Sequence, residues 1–146
     1  MSFLPPSTNA SYRGAPASAW FLGLAALLTL GPGLAHSFLP DGGMVTIAGL
    51  RPGPAAPLVL GVFRWEGATQ LALGLAMLVV ALRYRTLTPL FLALLALETG
   101  LSAIDVWVLA PPANGHRPPE NYGVLVAAPL AIGFLLLSLR SRGGPK

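Results

Sequence analysis

Three polar residues, Glu98, Ser102 and Asp105, recur at intervals of four and three within an otherwise apolar run. On a helix that turns by about 100° per residue, this spacing places two carboxyl groups and a hydroxyl group in one narrow stripe. A carboxyl group inside an apolar segment needs a partner, a proton or water, and such groups are usually functional. Because removal from water favours the neutral acid, we expect Glu98 to be neutral or poised for proton exchange.

A second polar group lies in the preceding apolar run, where residues 63–70 read Phe-Arg-Trp-Glu-Gly-Ala-Thr-Gln. Beside these polar residues, Gly67, Gly74 and Ala81 recur every seven residues, a spacing of small residues that lets a neighbouring backbone approach closely within lipid. Arg64 and Glu66 fall on opposite edges of this small-residue seam. We therefore expect both charges to lean toward the inside of the bundle.

Depth within the membrane predicts partners for these groups. Counting 1.5 Å per residue from the outer ends of their helices, Arg64 and Asp105 lie about 10 Å and about 8 Å deep. Glu98 and Gln70 lie at similar, greater depths. We therefore predict an Arg64–Asp105 ion pair and a Glu98–Gln70 hydrogen bond, with His36 close enough to join a polar pocket in the outer half of the bundle.

Each of these residues also has a purely structural interpretation. An Arg64–Asp105 pair can simply lock two helices together, and Glu98 can be a neutral acid with a local hydrogen bond. Ser102 is typical of a helix-packing hydroxyl group, since no Gly-x-Ser-x-Gly motif surrounds it. His36 and His116 are isolated and the chain has no cysteine, so we predict no metal site and no cofactor.

The composition indicates the elements that must position these groups. Hydrophobic residues make up 54% of the 146 residues and charged residues only 10%, whereas ordinary soluble domains carry about 25% charged residues. The net charge of +4 does not indicate nucleic-acid binding, because the basic residues flank apolar runs instead of forming a patch. We predict an all-α integral membrane four-helix bundle in a single transmembrane domain, residues 17–140, with helices at about 18–39, 57–82, 89–110 and 122–139.

The distribution of cations predicts the orientation of the bundle. Six cations lie on the side of the chain termini and two lie in the opposite loops, so the positive-inside rule places both termini in the cytoplasm of a bacterial inner membrane. Residues 1–16 are polar and rich in proline and are predicted to be a disordered tail, and residues 141–146 a basic tail. Residues 19–35 also fit a cleaved signal peptide, although a helix kinked at Pro32 and retained is the favoured prediction.

The run Arg64-Trp65-Glu66-Gly67, followed by a glycine-rich stretch and the basic turn Arg83-Tyr84-Arg85, resembles the DoxX-like bacterial membrane proteins over about residues 57–110. The resemblance implies a small four-helix membrane bundle, and some members of that group are thought to be membrane subunits of redox systems. Only Arg64 and Gly67 map onto the pattern. The acidic residues have no counterpart in it, so the resemblance leaves the chemistry of the pocket open.

Three functions remain after these observations. The favoured one is a binding or accessory membrane protein, whose polar pocket holds a small or lipid-soluble ligand or docks a partner subunit or a second copy of the chain. The second is a proton-coupled transporter in which Glu98 carries the proton. The third is a membrane-embedded isomerase or hydrolase, which has acids but no specific spacing to support it. The pocket residues are predicted to be His36, Arg64, Glu66, Gln70, Glu98, Ser102 and Asp105.

Overall fold

In a computed structural model, which describes residues 3–112 and 115–140, the chain is all-helical without strands and contains four long helices. Each helix is long and apolar enough to cross a membrane, which confirms the predicted all-α four-helix fold. The helices are α1, Pro16–Phe38; α2, Ala56–Arg83; α3, Thr88–Ile104; and α4, Pro119–Leu139. A π-helical segment, Asp105–Leu109, extends α3.

Proline residues mark where the helices begin. A proline occupies the first or second position of all four long helices. This position suits proline because the first N–H groups of a helix have no intrahelical acceptor and its backbone angle is already helical. Helix α1 continues through Pro32 as far as Phe38, so it contributes a full span to the bundle.

The small-residue seam of α2 packs against α1. A Cβ atom at Gly67 would lie 2.8 Å from the Cβ of His36 and 2.9 Å from the backbone nitrogen of Ser37. At Gly74 it would lie 2.7 Å from the Cγ of Leu30. Helix α2 packs mainly against α1, and the main neighbour of α3 is α4. The bundle is therefore two helix pairs, and α2 does not pack closely on α3 as the predicted Arg64–Asp105 and Gln70–Glu98 contacts require.

The physical reason for this pairing is that glycine lets two backbones approach closely. Tight packing of α2 on α3 would instead bury the acidic side chains that both helices carry.

The apolar core lies between the two pairs, toward the end of the bundle where the termini lie. Its buried members are Leu22, Ala26, Met77, Val80, Ala81 and Leu92. A buried hydroxyl group links the pairs, since Ser18 donates a hydrogen bond of 2.9 Å to the carbonyl of Phe134.

The outward faces of the helices remain apolar. Leu27 on α1, Leu58 on α2 and Leu136 on α4 are each more than half exposed in the isolated chain. Exposed apolar surface over all faces of a bundle is typical of a protein solvated by lipid. Together with the length of the helices, it supports a multi-pass membrane protein.

The segment before α1 is held against the turn between α2 and α3. Ser7 and the backbone N–H of Thr8 both donate to the carbonyl of Arg83, and Asn9 Nδ2 donates to the carbonyl of Leu82 at 2.7 Å. The Arg83 guanidinium donates back to the carbonyl of Pro5. These side chains satisfy carbonyl groups that have no partner at the end of α2. Residues 5–9 thus form a strap, where the sequence predicted a disordered tail over 1–16; the predicted basic tail, 141–146, lies outside the described residues.

Candidate functional site

An acidic cavity of ≈ 450 Å³ lies toward the end of the bundle where α1 and α3 end and α2 and α4 begin. All four helices contribute to it. Of the five acidic residues in the chain, four line this cavity: Glu66, Glu98, Asp105 and Glu120. Its other polar lining residues are Thr29, Gln70, Ser102 and Asn121. The cavity therefore gathers nearly all the acidic side chains of the protein in one place.

The polar stripe of α3 lies along one wall of the acidic cavity. Glu98, Ser102 and Asp105 all line it, as their helical spacing predicts. At Asp105 the helix changes from α to π geometry, and the N–H of Ala110 donates to the carbonyl of Asp105 at 2.7 Å. Wider turns of this kind are rare and frequently mark functional sites within helices.

On α2, the groups that line the acidic cavity are Glu66 and Gln70. The Gln70 Nε2 donates a hydrogen bond of 3.1 Å to the Glu66 Oε1 one turn earlier. The Gln70 Oε1 atom is buried and has no hydrogen-bond partner among the described residues. The predicted Gln70–Glu98 hydrogen bond is therefore not formed, since α2 and α3 stand apart and the amide bonds within its own helix.

Arg64 does not belong to the cavity, which corrects its predicted place in the pocket. Its side chain is exposed, and within the described part of the chain it forms neither an ion pair nor a hydrogen bond. The predicted Arg64–Asp105 ion pair is absent. Because the seam of α2 packs on α1, Glu66 turns toward the cavity, whereas Arg64, about 200° away around the helix, turns outward.

Glu120 is the cavity residue that the sequence prediction missed. The fourth helix was predicted at about 122–139, which leaves Glu120 outside it, but α4 begins at Pro119. The signal was present in the sequence, because proline favours the first position of a helix and acidic residues favour the first turn. Since Glu120 belongs to the helix, its side chain lines the cavity instead of the loop surface.

His36 lines a second cavity of ≈ 280 Å³, which shares Pro32 and Glu120 with the acidic cavity. The ring is only 4% exposed, and its Nδ1 lies 2.7 Å from the carbonyl oxygen of Gly42. A carbonyl group can only accept, so Nδ1 carries the hydrogen in this contact. The other ring nitrogen, Nε2, is buried without a partner. His36, which was predicted to join the polar pocket, therefore lines a separate cavity beside it.

The loop after α1 orients His36 through Gly42. Its organising residue is Asp41, whose carboxylate accepts hydrogen bonds from the backbone N–H groups of Thr46, Gly43 and Val45. The backbone donors of Thr46 and Gly43 lower the pKa of Asp41 to about 2. Gly42 adopts a φ of +60°, a conformation that favours glycine. The loop is thus a defined turn structure that presents a carbonyl group to the imidazole.

A second loop closes the same end of the bundle. His116 contacts the carbonyl of Ala48 at 2.8 Å, and the Arg117 guanidinium lies 4.0 Å from the ring centroid of Trp107. Arg117 also donates to the carbonyl of Val106, and Trp107 donates to that of Asn121. Trp107, which belongs to the π-helical segment, therefore packs against the start of α4.

Between α2 and α3, an apolar groove of ≈ 410 Å³ continues from the acidic cavity. Its lining residues are Leu73, Met77, Phe91, Leu94, Leu95, Leu97, Glu98 and Leu101. Glu98 and Leu73 border both spaces. A carboxyl group thus lies at the junction of a polar compartment and an apolar one.

Comparisons with protein-family models, with curated proteins and with solved structures find no match for this chain. The function therefore has to be argued from the site itself. Among the side chains that the structure describes, no three histidine, aspartate or glutamate residues lie close enough together to hold a metal ion. The acidic groups are spread around a space of ligand size instead of converging on a point.

Proposed function

We propose that this chain is a multi-pass protein of a bacterial inner membrane that binds a small, lipid-soluble ligand between its two helix pairs. The polar part of the ligand occupies the acidic cavity, and its apolar part lies in the groove between α2 and α3. The observation that carries this proposal is the position of Glu98, which borders both spaces. Volumes of ≈ 450 Å³ and ≈ 410 Å³ are within the usual range for small-molecule sites.

The charge distribution supports an orientation for this site. Arg83 and Arg85 lie at the end of the bundle that carries the chain termini, together with Arg13 and Arg140. The loops near the acidic cavity carry only Arg51 and Arg117. By the positive-inside rule both termini are cytoplasmic, so the acidic cavity opens toward the opposite face of the membrane. The resemblance to DoxX-like proteins, which would fit this location, stays a prediction.

Mass spectrometry of small molecules that co-purify with the full chain in mild detergent tests the binding function. We expect an amphiphilic molecule with the wild-type protein and at least about a tenfold loss in Glu98→Gln, since removal of one charged hydrogen-bonding group costs about 1.5–3 kcal/mol. Thr99→Val is the matched control, because Thr99 bonds within its own helix to the carbonyl of Leu95 and does not line the cavity.

Equal ligand content in the wild-type protein and in Glu98→Gln would contradict a role for the cavity. A wild-type protein that co-purifies with no small molecule would instead favour the accessory-subunit function, in which the same polar end docks a partner membrane subunit or a second copy of the chain. Cross-linking from position 64, which is exposed near this end, would then identify the neighbour.

A specific observation also favours proton-coupled transport as a second function. Within the described ranges, no side chain or backbone group hydrogen-bonds to the Glu98 carboxyl group, so no fixed partner holds it in one protonation state. Intramembrane carboxyl groups of this kind are typical proton carriers. In proteoliposomes, a pH gradient should drive uptake of the co-purified ligand by the wild-type protein and not by Glu98→Gln. Unchanged pH-driven flux in that variant would exclude this function.

A further inference from the structure

The polar groups that line the two cavities are mostly hydrogen-bond acceptors. Four carboxyl groups line the acidic cavity, and an ionised carboxylate can only accept hydrogen bonds. The buried Gln70 Oε1 is an acceptor with no donor, because the amide nitrogen of the same side chain already donates to Glu66. An occupant that satisfies these groups must therefore supply donors.

His36 provides an independent observation of the same kind. Its side chain is 96% buried, given an exposed fraction of 4%, and its Nδ1 is engaged by the Gly42 carbonyl. In the neutral imidazole, the remaining nitrogen, Nε2, is then an acceptor, and it has no donor in the structure. A buried polar atom without a partner costs free energy, so an atom of this kind beside a cavity indicates a missing partner.

Within residues 3–112 and 115–140, no arginine satisfies these acceptors. Arginine side chains line neither cavity. Arg64 is exposed on the other side of α2, and the Arg117 guanidinium is engaged by the Val106 carbonyl and the Trp107 ring. Several carboxyl groups that share one cavity repel each other when ionised, and a positively charged occupant removes that repulsion.

From this inventory, we infer that the polar group of the ligand is a donor-rich organic cation, namely a primary ammonium, an amidinium or a guanidinium. The inference rests on the proposed ligand-binding function and specifies its chemistry. The cation lies among the four carboxyl groups, with Glu120 lining both cavities. Because the Gln70 Oε1 and the His36 Nε2 are buried, one of these side chains rotates to accept an N–H group of the cation. Amidinium and guanidinium groups suit such a site because they donate in pairs to carboxylates.

Three probes that differ only in charge and donors test this inference: benzamidinium, which has both; benzamide, a neutral isostere; and phenyltrimethylammonium, a cation without N–H groups. Equilibrium dialysis against the full chain in an uncharged detergent gives the three affinities. We expect benzamidinium to bind at least about tenfold more tightly than either of the other probes, because each charge-assisted hydrogen bond contributes about 1.5–3 kcal/mol.

Two variants locate the binding. Glu120→Gln removes a charge shared by both cavities, and Gln70→Met removes a buried acceptor at similar volume. Each should weaken benzamidinium binding about tenfold or more. Thr69→Val is the matched control on α2, since the Thr69 hydroxyl group bonds to carbonyls of its own helix and lines neither cavity. If Glu120→Gln does not fold, the comparison of probes and the Gln70→Met variant still decide the question.

Nitrogen NMR gives a readout that a merely structural histidine would not show. Addition of benzamidinium should move the His36 Nε2 resonance from the range of a free acceptor nitrogen toward that of a hydrogen-bonded one, while Nδ1 stays bound to Gly42. Phenyltrimethylammonium should leave both resonances in place.

The possible outcomes separate this inference from the proposed function. Benzamide or phenyltrimethylammonium binding as tightly as benzamidinium, or no binding of any probe, would overturn the cationic ligand. The co-purification result for Glu98→Gln would still test the binding function in either case. Benzamidinium binding that is equal in the wild-type protein, Glu120→Gln and Gln70→Met would also overturn the inference, because the cation would then lie elsewhere.

Discussion

Replacement of Gly67 by alanine tests the packing that arranges the whole site. A Cβ atom there would meet three atoms of α1 within 3.0 Å: Ser37 Oγ at 2.7 Å, His36 Cβ at 2.8 Å and the Ser37 backbone nitrogen at 2.9 Å. Backbone and Cβ atoms cannot rotate away, so the two helices must separate. Overpacking typically costs 1–3 kcal/mol, and this geometry places Gly67→Ala in the upper part of that range, at about 2–3 kcal/mol.

Two other glycines of the same helix provide the comparison. At Gly61 an added Cβ atom would have no neighbour within 4 Å, so Gly61→Ala should be neutral or stabilising by about 0.5–1 kcal/mol through helix propensity. At Gly74 the nearest atoms belong to the flexible side chain of Leu30, which can move, so Gly74→Ala should cost about 1 kcal/mol. The predicted order of stability is Gly61→Ala, wild type, Gly74→Ala and Gly67→Ala.

Unfolding of the full chain in mixed micelles of a mild detergent and sodium dodecyl sulfate, followed by circular dichroism, measures these free energies. The expected gap between Gly61→Ala and Gly67→Ala is about 3 kcal/mol, the sum of the two opposite effects. Equal stability of these two variants would refute the close α1–α2 contact. The placement of His36 beside the acidic cavity depends on the same contact and would be refuted with it.

Four further results are expected. Carbon NMR should show that Asp41 titrates with a pKa of about 2, below its ordinary value of 3.8. The ionised carboxylate of Asp41 therefore contributes its full stabilisation above pH 3.8, and this stabilisation is lost as the pH falls through 2. Ser18→Ala should lower the free energy of unfolding by about 0.6–2 kcal/mol through loss of the bond to Phe134, measured in the same micelles. Asn9→Ala should increase the rate of proteolysis within the strap, residues 5–9. An unchanged rate would show that the strap is not attached in the wild-type protein. Arg64→Gln should change the free energy of unfolding by less than about 0.5 kcal/mol, and a larger loss would indicate a hidden ion pair.

The fold was predictable because membrane solvation acts on each helix separately. A segment of about 20 apolar residues has to be helical in lipid so that its backbone groups are bonded, and this holds whatever its neighbours are. Helices α1, α2 and α4 accordingly begin and end within three residues of the predicted positions, and α3 does so when its π-helical extension to Leu109 is included. For the same reason the stripe of Glu98, Ser102 and Asp105 was predictable, since the face of a helix depends only on its own periodicity.

The partner of each helix face was not predictable from depth and charge. Arg64 and Asp105 lie at matching depths, but depth does not determine how a helix is rotated about its axis. The rotation of α2 is set by its glycine seam, which packs against α1. Glu120 was missed because its helix begins earlier than its apolar run.

The sequence alone determined that the chain forms four helices long and apolar enough to span a membrane and that α3 carries a polar face, since both follow from local spacing. Only the tertiary structure decided that four carboxyl groups share one cavity. Among residues 3–112 and 115–140, no arginine lines that cavity and no donor bonds to the Gln70 Oε1 or the His36 Nε2. The reason is that helix rotation and pairing depend on close packing between distant segments, which no single segment encodes.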